Sequence, residues 1–186
     1  NMPDESIVKL MGIAVEKTMV SIPSTKLKSE GPLLITHWGM SGPAILKLSA
    51  FGARILSEKE YDFSIKVNWI NEPNNNVVNN ELKNIADKHP NKFMVSVKPY
   101  LLPERLWLFL LEKSGFSKDK KWKDLGKNGL NKLVRILTND EYSVKGKTTF
   151  KEEFVTCGGV SLKSIDVKTM QSKVCKNLYF AGEVMD

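Results

Sequence analysis

Two places near the end of this chain carry residue types that suit chemistry. Thr156-Cys157-Gly158-Gly159 and Gly182-Glu183-Val184-Met185-Asp186 each set glycine and a polar group behind an apolar run. Paired glycines let backbone approach a flat ligand closely. A carboxylate just past the end of a strand is well placed to accept hydrogen bonds from ribose or ribityl hydroxyls. Leu178 to Ala181 reads as that strand, buried, with Gly182 as its sharp end. Taken singly, each piece is also an ordinary turn or an exposed acidic end.

A third candidate is Gly31 to Ala50, GPLLITHWGMSGPAILKLSA. The short apolar strand Leu33-Leu34-Ile35 leads through Gly39 and Gly42 into a helix carrying Ile45, Leu46 and Leu48. Pro43 suits the first helical turn, where its missing N–H would be unpaired anyway. Free N–H groups at such a start suit an anion, but a plain turn capped by Ser41 or Gly42 is the commoner meaning. Gly39-Met40-Ser41-Gly42-Pro43 also approaches the G-x-S-x-G nucleophile elbow, so a serine hydrolase using Ser41 is an alternative. That fold needs an acid and then a histidine after the serine. His89 alone follows, and His37 precedes, so this alternative ranks low.

Metal chemistry finds no support. His37, His89, Cys157 and Cys175 are scattered, with no ligand spacing. Between Glu112 and Arg135 eight basic residues stand against three acidic ones, with Trp122 among the lysines. A nucleic-acid-binding module would look like this, and so does a solvated helical face; without an RNP, KH or zinc-finger signature the solvated face is favoured.

The elements that position these groups fall into β, helical and β again. Residues 7–22 read as β, with the apolar phase slipping near Lys17-Thr18, which predicts a bulge or turn. Tyr61, Phe63, Ile65, Val67 and Trp69 alternate with polar residues, the mark of a strand with one wet face. The period then changes. Asn74-Asn75-Asn76 can cap a helix carrying Val78, Leu82 and Ile85, which His89-Pro90 ends. A second helix runs from Pro103 to Lys113, apolar nearly all round and therefore buried. A third is capped by Asn128 and carries Leu130, Leu133, Val134 and Leu137. Tyr142 to Val144 and Phe150 to Cys157 then flank Lys145-Gly146-Lys147 as a hairpin. The pattern predicts an α+β chain: a discontinuous β-barrel from residues 1–72 and 141–165 and an all-helical insert at 73–140, with residues 166–186 following.

At 186 residues and 41% hydrophobic, the chain can bury a sizeable core. Two cysteines favour a reducing compartment, hence a cytoplasmic location. The longest apolar run, Leu106 to Leu111, is six residues, against the ~18 of a membrane span, and no leader pattern opens the sequence. The net charge of +7 admits anionic partners without naming one.

Together, THWGMSGPAIL, VTCGGVSLKSID, KTMQSK and NLYFAGEVMD resemble the aminoacetone-oxidase-type, BaiN-like family of NAD(P)/FAD-dependent flavoproteins. The resemblance implies an FAD-binding Rossmann-like domain split by a barrel-and-helix insertion, and an FAD-dependent oxidoreductase as the parent protein. It implies that Thr156, Gly158, Gly159, Gly182, Glu183 and Asp186 contact FAD, with Asp186 as the hydroxyl-binding acid. It sets Thr36, His37, Gly39, Ser41 and Gly42 in an insert motif expected to wall the substrate pocket. Cys157 stands where a small residue such as alanine is expected. No G-x-G-x-x-G is present, so the chain is expected to be the insertion region with a truncated return strand. It is then inactive and holds no FAD tightly alone. The implied partners are the missing FAD domain of the same protein, a small-molecule substrate, NAD(P)H as a candidate reductant and, through the orphan strand, a second copy of the chain. No membrane and no nucleic acid are expected among them.

Overall fold

The computed structural model describes residues 2, 6–146 and 158–186. The chain divides into two units, residues 1–148 and 149–186. The first is α+β. Its strands are β1 (Ala14–Ser21), β2 (Lys28–Thr36), β3 (Gly39–Ser41), β4 (Asp62–Asn68) and β5 (Asp140–Lys145), in one antiparallel sheet of order β3-β2-β1-β4-β5. Its helices are α1 (Pro43–Glu58), α2 (Asn75–Lys88), α3 (Glu104–Lys113) and α4 (Gly126–Thr138).

The predicted slip in β1 is a bulge. Val15 pairs with Leu33 but Thr18 with Gly31, so two residues of β1 are absorbed where β2 advances by fewer. Thr18 is buried there and its hydroxyl donates to the Gly31 carbonyl at 2.9 Å, which closes the irregularity. The strand does not reach back to residue 7, however. Ser6–Leu10 is a 3-10 turn that buries Ile7 and Leu10. β2 is longer than Leu33 to Ile35, and on α1 Leu46 faces solvent, while Ala44, Leu48, Gly52 and Leu56 form the packed stripe.

All three later helices lie between two neighbouring strands. β4 leaves the sheet, α2, α3 and α4 follow, and β5 returns to pair with β4 from Asp62↔Lys145 to Val67↔Asp140. Asn74 caps α2 as its sequence predicts, its Oδ1 accepting the Asn76 N–H at 3.0 Å. α3 buries Leu106, Trp107, Leu110 and Leu111. α4 is the exception: it starts at Gly126, not after Asn128, and has no side-chain cap. A 3-10 turn at Trp122–Asp124 feeds directly into it, and the buried Trp122 fixes that turn. Packing has overridden capping propensity. Leu130, Leu133, Val134 and Leu137 still form the buried face.

One carboxylate joins sheet to helices. Asp140, fully buried, accepts from the Trp69 indole N–H at 2.9 Å and from the Tyr142 hydroxyl, and its other oxygen meets Lys113 Nζ of α3 at 2.6 Å. That ammonium also lies 3.8 Å from the centre of the Tyr142 ring.

The second unit is sparse. Strands β6 (Ile165–Asp166) and β7 (Gln171–Ser172) form a two-stranded ladder, and Ile165 alone among its described residues is buried. Leu178 to Ala181 is not the buried strand its apolarity suggests. It makes one bridge, Tyr179 to Gln171, and Leu178 and Tyr179 are exposed, because a two-residue ladder offers no sheet face to cover them. The second strand of the expected 145–147 hairpin lies outside the described residues.

Removing one partner of a buried charge pair costs about 3–5 kcal/mol. Asp140→Ala should therefore lower the melting temperature by roughly 10 °C, since about 1 kcal/mol moves a unit of this size by 2–4 °C. Differential scanning calorimetry checks this; a shift under about 2 °C would contradict it. A second expectation concerns Tyr100, whose hydroxyl donates to Glu81 at 2.6 Å. Burial first, and then that bond and the charges of Glu81 and Glu72, hold the phenol well above its ordinary value. The folded state keeps this proton more tightly than the unfolded chain, so the contribution is whole below about pH 10 and is lost as pH rises beyond it. Wild type should thus lose stability above that pH more steeply than Tyr100→Phe in urea titrations.

Candidate cofactor and substrate site

In the second unit the two glycine segments meet. Val160 and Met185 form a parallel bridge; the Val160 N–H donates to the Val184 carbonyl at 2.8 Å, and the Asp186 N–H to the Val160 carbonyl at 3.1 Å. Only glycine fits at 159, since a Cβ there would sit 2.5 Å from the Val184 oxygen. Gly158 and Gly182 have φ of 110° and 77°, and the space a Cβ would take beside each is open. Glu183 is exposed on the 3-10 turn Gly182–Val184. Gly158, Gly159, Gly182, Glu183 and Asp186 therefore share one short edge that combines bare peptide with carboxylates. Bare peptide admits a flat ring, and carboxylates accept from hydroxyls. Thr156 and Cys157 lie outside the described residues.

The insert motif belongs to the first unit. Thr36 pairs with Gly39 across a two-residue turn that exposes His37, whose ring stands edge-on to Trp38 at 4.2 Å. Thr36 is buried, and its Oγ1 has no hydrogen-bond partner among the described residues. Ser41 lies within β3, paired to Leu34, and the left-handed residue is Gly42 at φ 95°. An elbow needs the serine itself on the strained turn; here glycine takes that place. A Cβ on Gly42 would lie 2.9 Å from the Pro32 carbonyl, so the start of α1 is pressed against β2 and its glycine serves packing. Beside the hairpin lies a cavity of about 150 Å³ between α1 and the sheet, lined by apolar groups such as Met40, Leu48, Phe63 and Val144. Of the five motif residues, Gly39 alone borders it.

Two arrangements escaped the sequence reading. The Asp140 cluster joins residues 71 positions apart, and only the spacing of Asp140 from Tyr142 hinted at it. A groove of about 730 Å³ between α2 and the start of α4 gathers polar groups from both helices. Among the described residues no group of three or more His, Cys, Asp or Glu side chains is placed to hold a metal, and no helix is long and apolar enough to cross a membrane.

Comparison with known proteins agrees with the motif resemblance. The chain is 29% identical over 183 residues to a ribosomal RNA dihydrouridine synthase of Haemophilus influenzae, covering 98% of this chain and 42% of that protein. A protein of the same name from Escherichia coli is 29% identical over 182 residues, with the same two coverages. A 3-dehydro-bile acid delta(4,6)-reductase of Clostridium scindens is 22% identical over 180 residues, 96% of this chain and 44% of that protein. The chain thus spans under half the length of the curated relatives it matches. A family model described as HI0933-like protein barrel and H2TH domain matches residues 2–155. With most of its length inside that model, the chain belongs to the HI0933-like family, the FAD-binding flavoprotein family its motifs resemble.

Proposed function

We propose that this chain is the insert region and flavin-contacting return segment of an FAD-dependent reductase that saturates the 5,6 double bond of a uridine in RNA. The observation that carries the flavin part is the pairing of Val160 with Met185, which aligns both glycine turns with Glu183 and Asp186. For the substrate, support comes from the two relatives named as RNA dihydrouridine synthases, which match nearly the whole chain. The name of the third, a delta(4,6)-reductase, describes the same kind of change, hydrogenation of a carbon–carbon double bond. A small unsaturated ketone as substrate is the second reading, and that relative favours it. The nucleic-acid substrate departs from the expectation drawn from sequence, on the strength of those names.

In this reading, bound FAD supplies the redox chemistry, with NAD(P)H as its source of electrons. The chain's own residues orient. Gly158 offers bare backbone to the ring, and Gly159 and Thr156 are assigned to the same contact. Glu183 and Asp186 accept from hydroxyls. Thr36, His37, Gly39, Ser41 and Gly42 form a wall of the substrate pocket. The rest of the proposal is architectural. A discontinuous barrel (1–72 and 141–165) holds the helical insert (73–140), and residues 166–186 return to a Rossmann-like FAD domain of the same protein, its chief partner, in the cytoplasm. Without that domain the chain is inactive, and Leu178 to Ala181 is open to pairing with a second copy.

The test uses the full-length protein. It should purify with bound flavin and, given a reductant and transcribed ribosomal RNA, yield dihydrouridine by nucleoside mass spectrometry. Gly159→Ala, which forces Val160 away from Val184, should weaken FAD at least roughly tenfold, about 1.4 kcal/mol, with helix content by circular dichroism unchanged. Reduction of a free enone without dihydrouridine would transfer the case to the second reading. Flavin-free protein that cannot be reconstituted would end both.

A further inference from the structure

The basic stretch between Glu112 and Arg135 contributes to a local concentration of charge. Three of the lysines in and near it converge on the groove between α2 and the start of α4. Lys83 comes from α2, Lys123 from the 3-10 turn and Lys127 from the first turn of α4, and all three are exposed at the rim. Asp87 is the one carboxylate in the lining, so three positive charges face one negative. The 13-residue α4 starts there without a side-chain cap and with no acid in its first turn, and Gly126 leaves its approach open. An anion would therefore gain from the helix start as well as from the lysines. Asn79 and Asn131 add neutral donors and acceptors along the walls.

The floor adds an independent sign. Three tryptophans are fully buried. The Trp69 N–H goes to Asp140 and the Trp107 N–H to the Met94 carbonyl at 2.9 Å, but that of Trp122 has no acceptor among the described residues. Trp122 lines this groove, stacked on Trp107 at 6.5 Å. A buried donor without an acceptor is costly to leave so. The volume, the positive rim and the two amides of the walls suit a polyanion with hydrogen-bonding bases better than a single small anion.

We propose that this groove holds the phosphate backbone of single-stranded RNA, gripping the strand whose uridine is reduced elsewhere in the protein. The inference rests on the RNA-substrate reading above. Lys83, Lys123 and Lys127 neutralise successive phosphates, and the start of α4 receives one of them.

The experiment measures binding of full-length protein to a uridine-containing single-stranded RNA by fluorescence anisotropy across a salt series. Lys83→Glu/Lys127→Glu alters two exposed side chains. It should weaken binding at least about tenfold and flatten the slope of log K against log salt by more than one, since each single-strand contact contributes about 0.7. The matched reversal Lys47→Glu/Lys59→Glu, on and just past α1, should stay within about twofold, as it touches no groove contact. Equal losses in both doubles, or none in the first, would overturn the groove while leaving RNA as substrate. Wild type that shows no salt-dependent RNA affinity, or that prefers phosphatidylglycerol vesicles, would overturn the groove and the RNA reading together. Flavin content, read in the same samples, keeps the reductase reading separately testable.

Discussion

The Asp140 carboxylate is the constraint on which the first unit depends. A charge with no exposure is tolerable only when its lone pairs are filled, and here the partners come from three places. Trp69 lies just beyond β4, Tyr142 lies in β5, and Lys113 reaches across from α3. Oδ2 thereby ties the end of β4 to β5, and Oδ1 holds α3 against them. The backbone N–H of Trp69, donating to the Leu137 carbonyl at 2.9 Å, adds the end of α4 to the same junction. Apolar packing alone would hold these surfaces together, but it would permit sliding; a buried carboxylate with directional partners permits one register.

From that junction the two candidate surfaces are placed by different means. The groove exists because α2 and α4 are neighbours and because Trp122 anchors the turn before α4. The glycine edge of the second unit owes nothing to a large core. It is set by backbone bonds between Val160 and residues 184–186, at a spacing that a single added Cβ at 159 would destroy. One surface rests on side-chain packing, the other on the absence of a side chain.

Much of this could be read from residue order. Local signals survived: the phase slip near Lys17-Thr18 became the β1 bulge, Asn74 became a cap, and Pro43 opened a helix. The glycine and acid motifs at both ends of the second unit were likewise visible, because each is a short run with its own steric meaning. What could not be read was long-range. Asn128 looks like a cap in isolation, yet Trp122 starts the helix earlier by burying itself. Leu178 to Ala181 has the apolarity of a core strand, but burial depends on a neighbour that local sequence does not specify. The groove pairs Lys83 with Lys123 and Lys127, charges that belong to separate helices and that a running count of net charge cannot bring together.

The β4–β5 pairing has a consequence for how the chain acquires its shape. These strands are adjacent in the sheet, yet Trp69 and Asp140 are 71 residues apart, with three helices strung between them. Closing a long flexible loop costs little more per doubling of length, about 0.6 kcal/mol, but the search that closes it is slow when the intervening chain is formless. Helices form on a far shorter timescale than such a closure. Once α2, α3 and α4 have packed, the ends of the excursion are already near one another and β5 has only a short distance to travel. The helical lobe should therefore act as a template for completing the sheet. A lesion in its apolar face should be felt first as slow or failed closure of the β4–β5 ladder, some distance from the change itself.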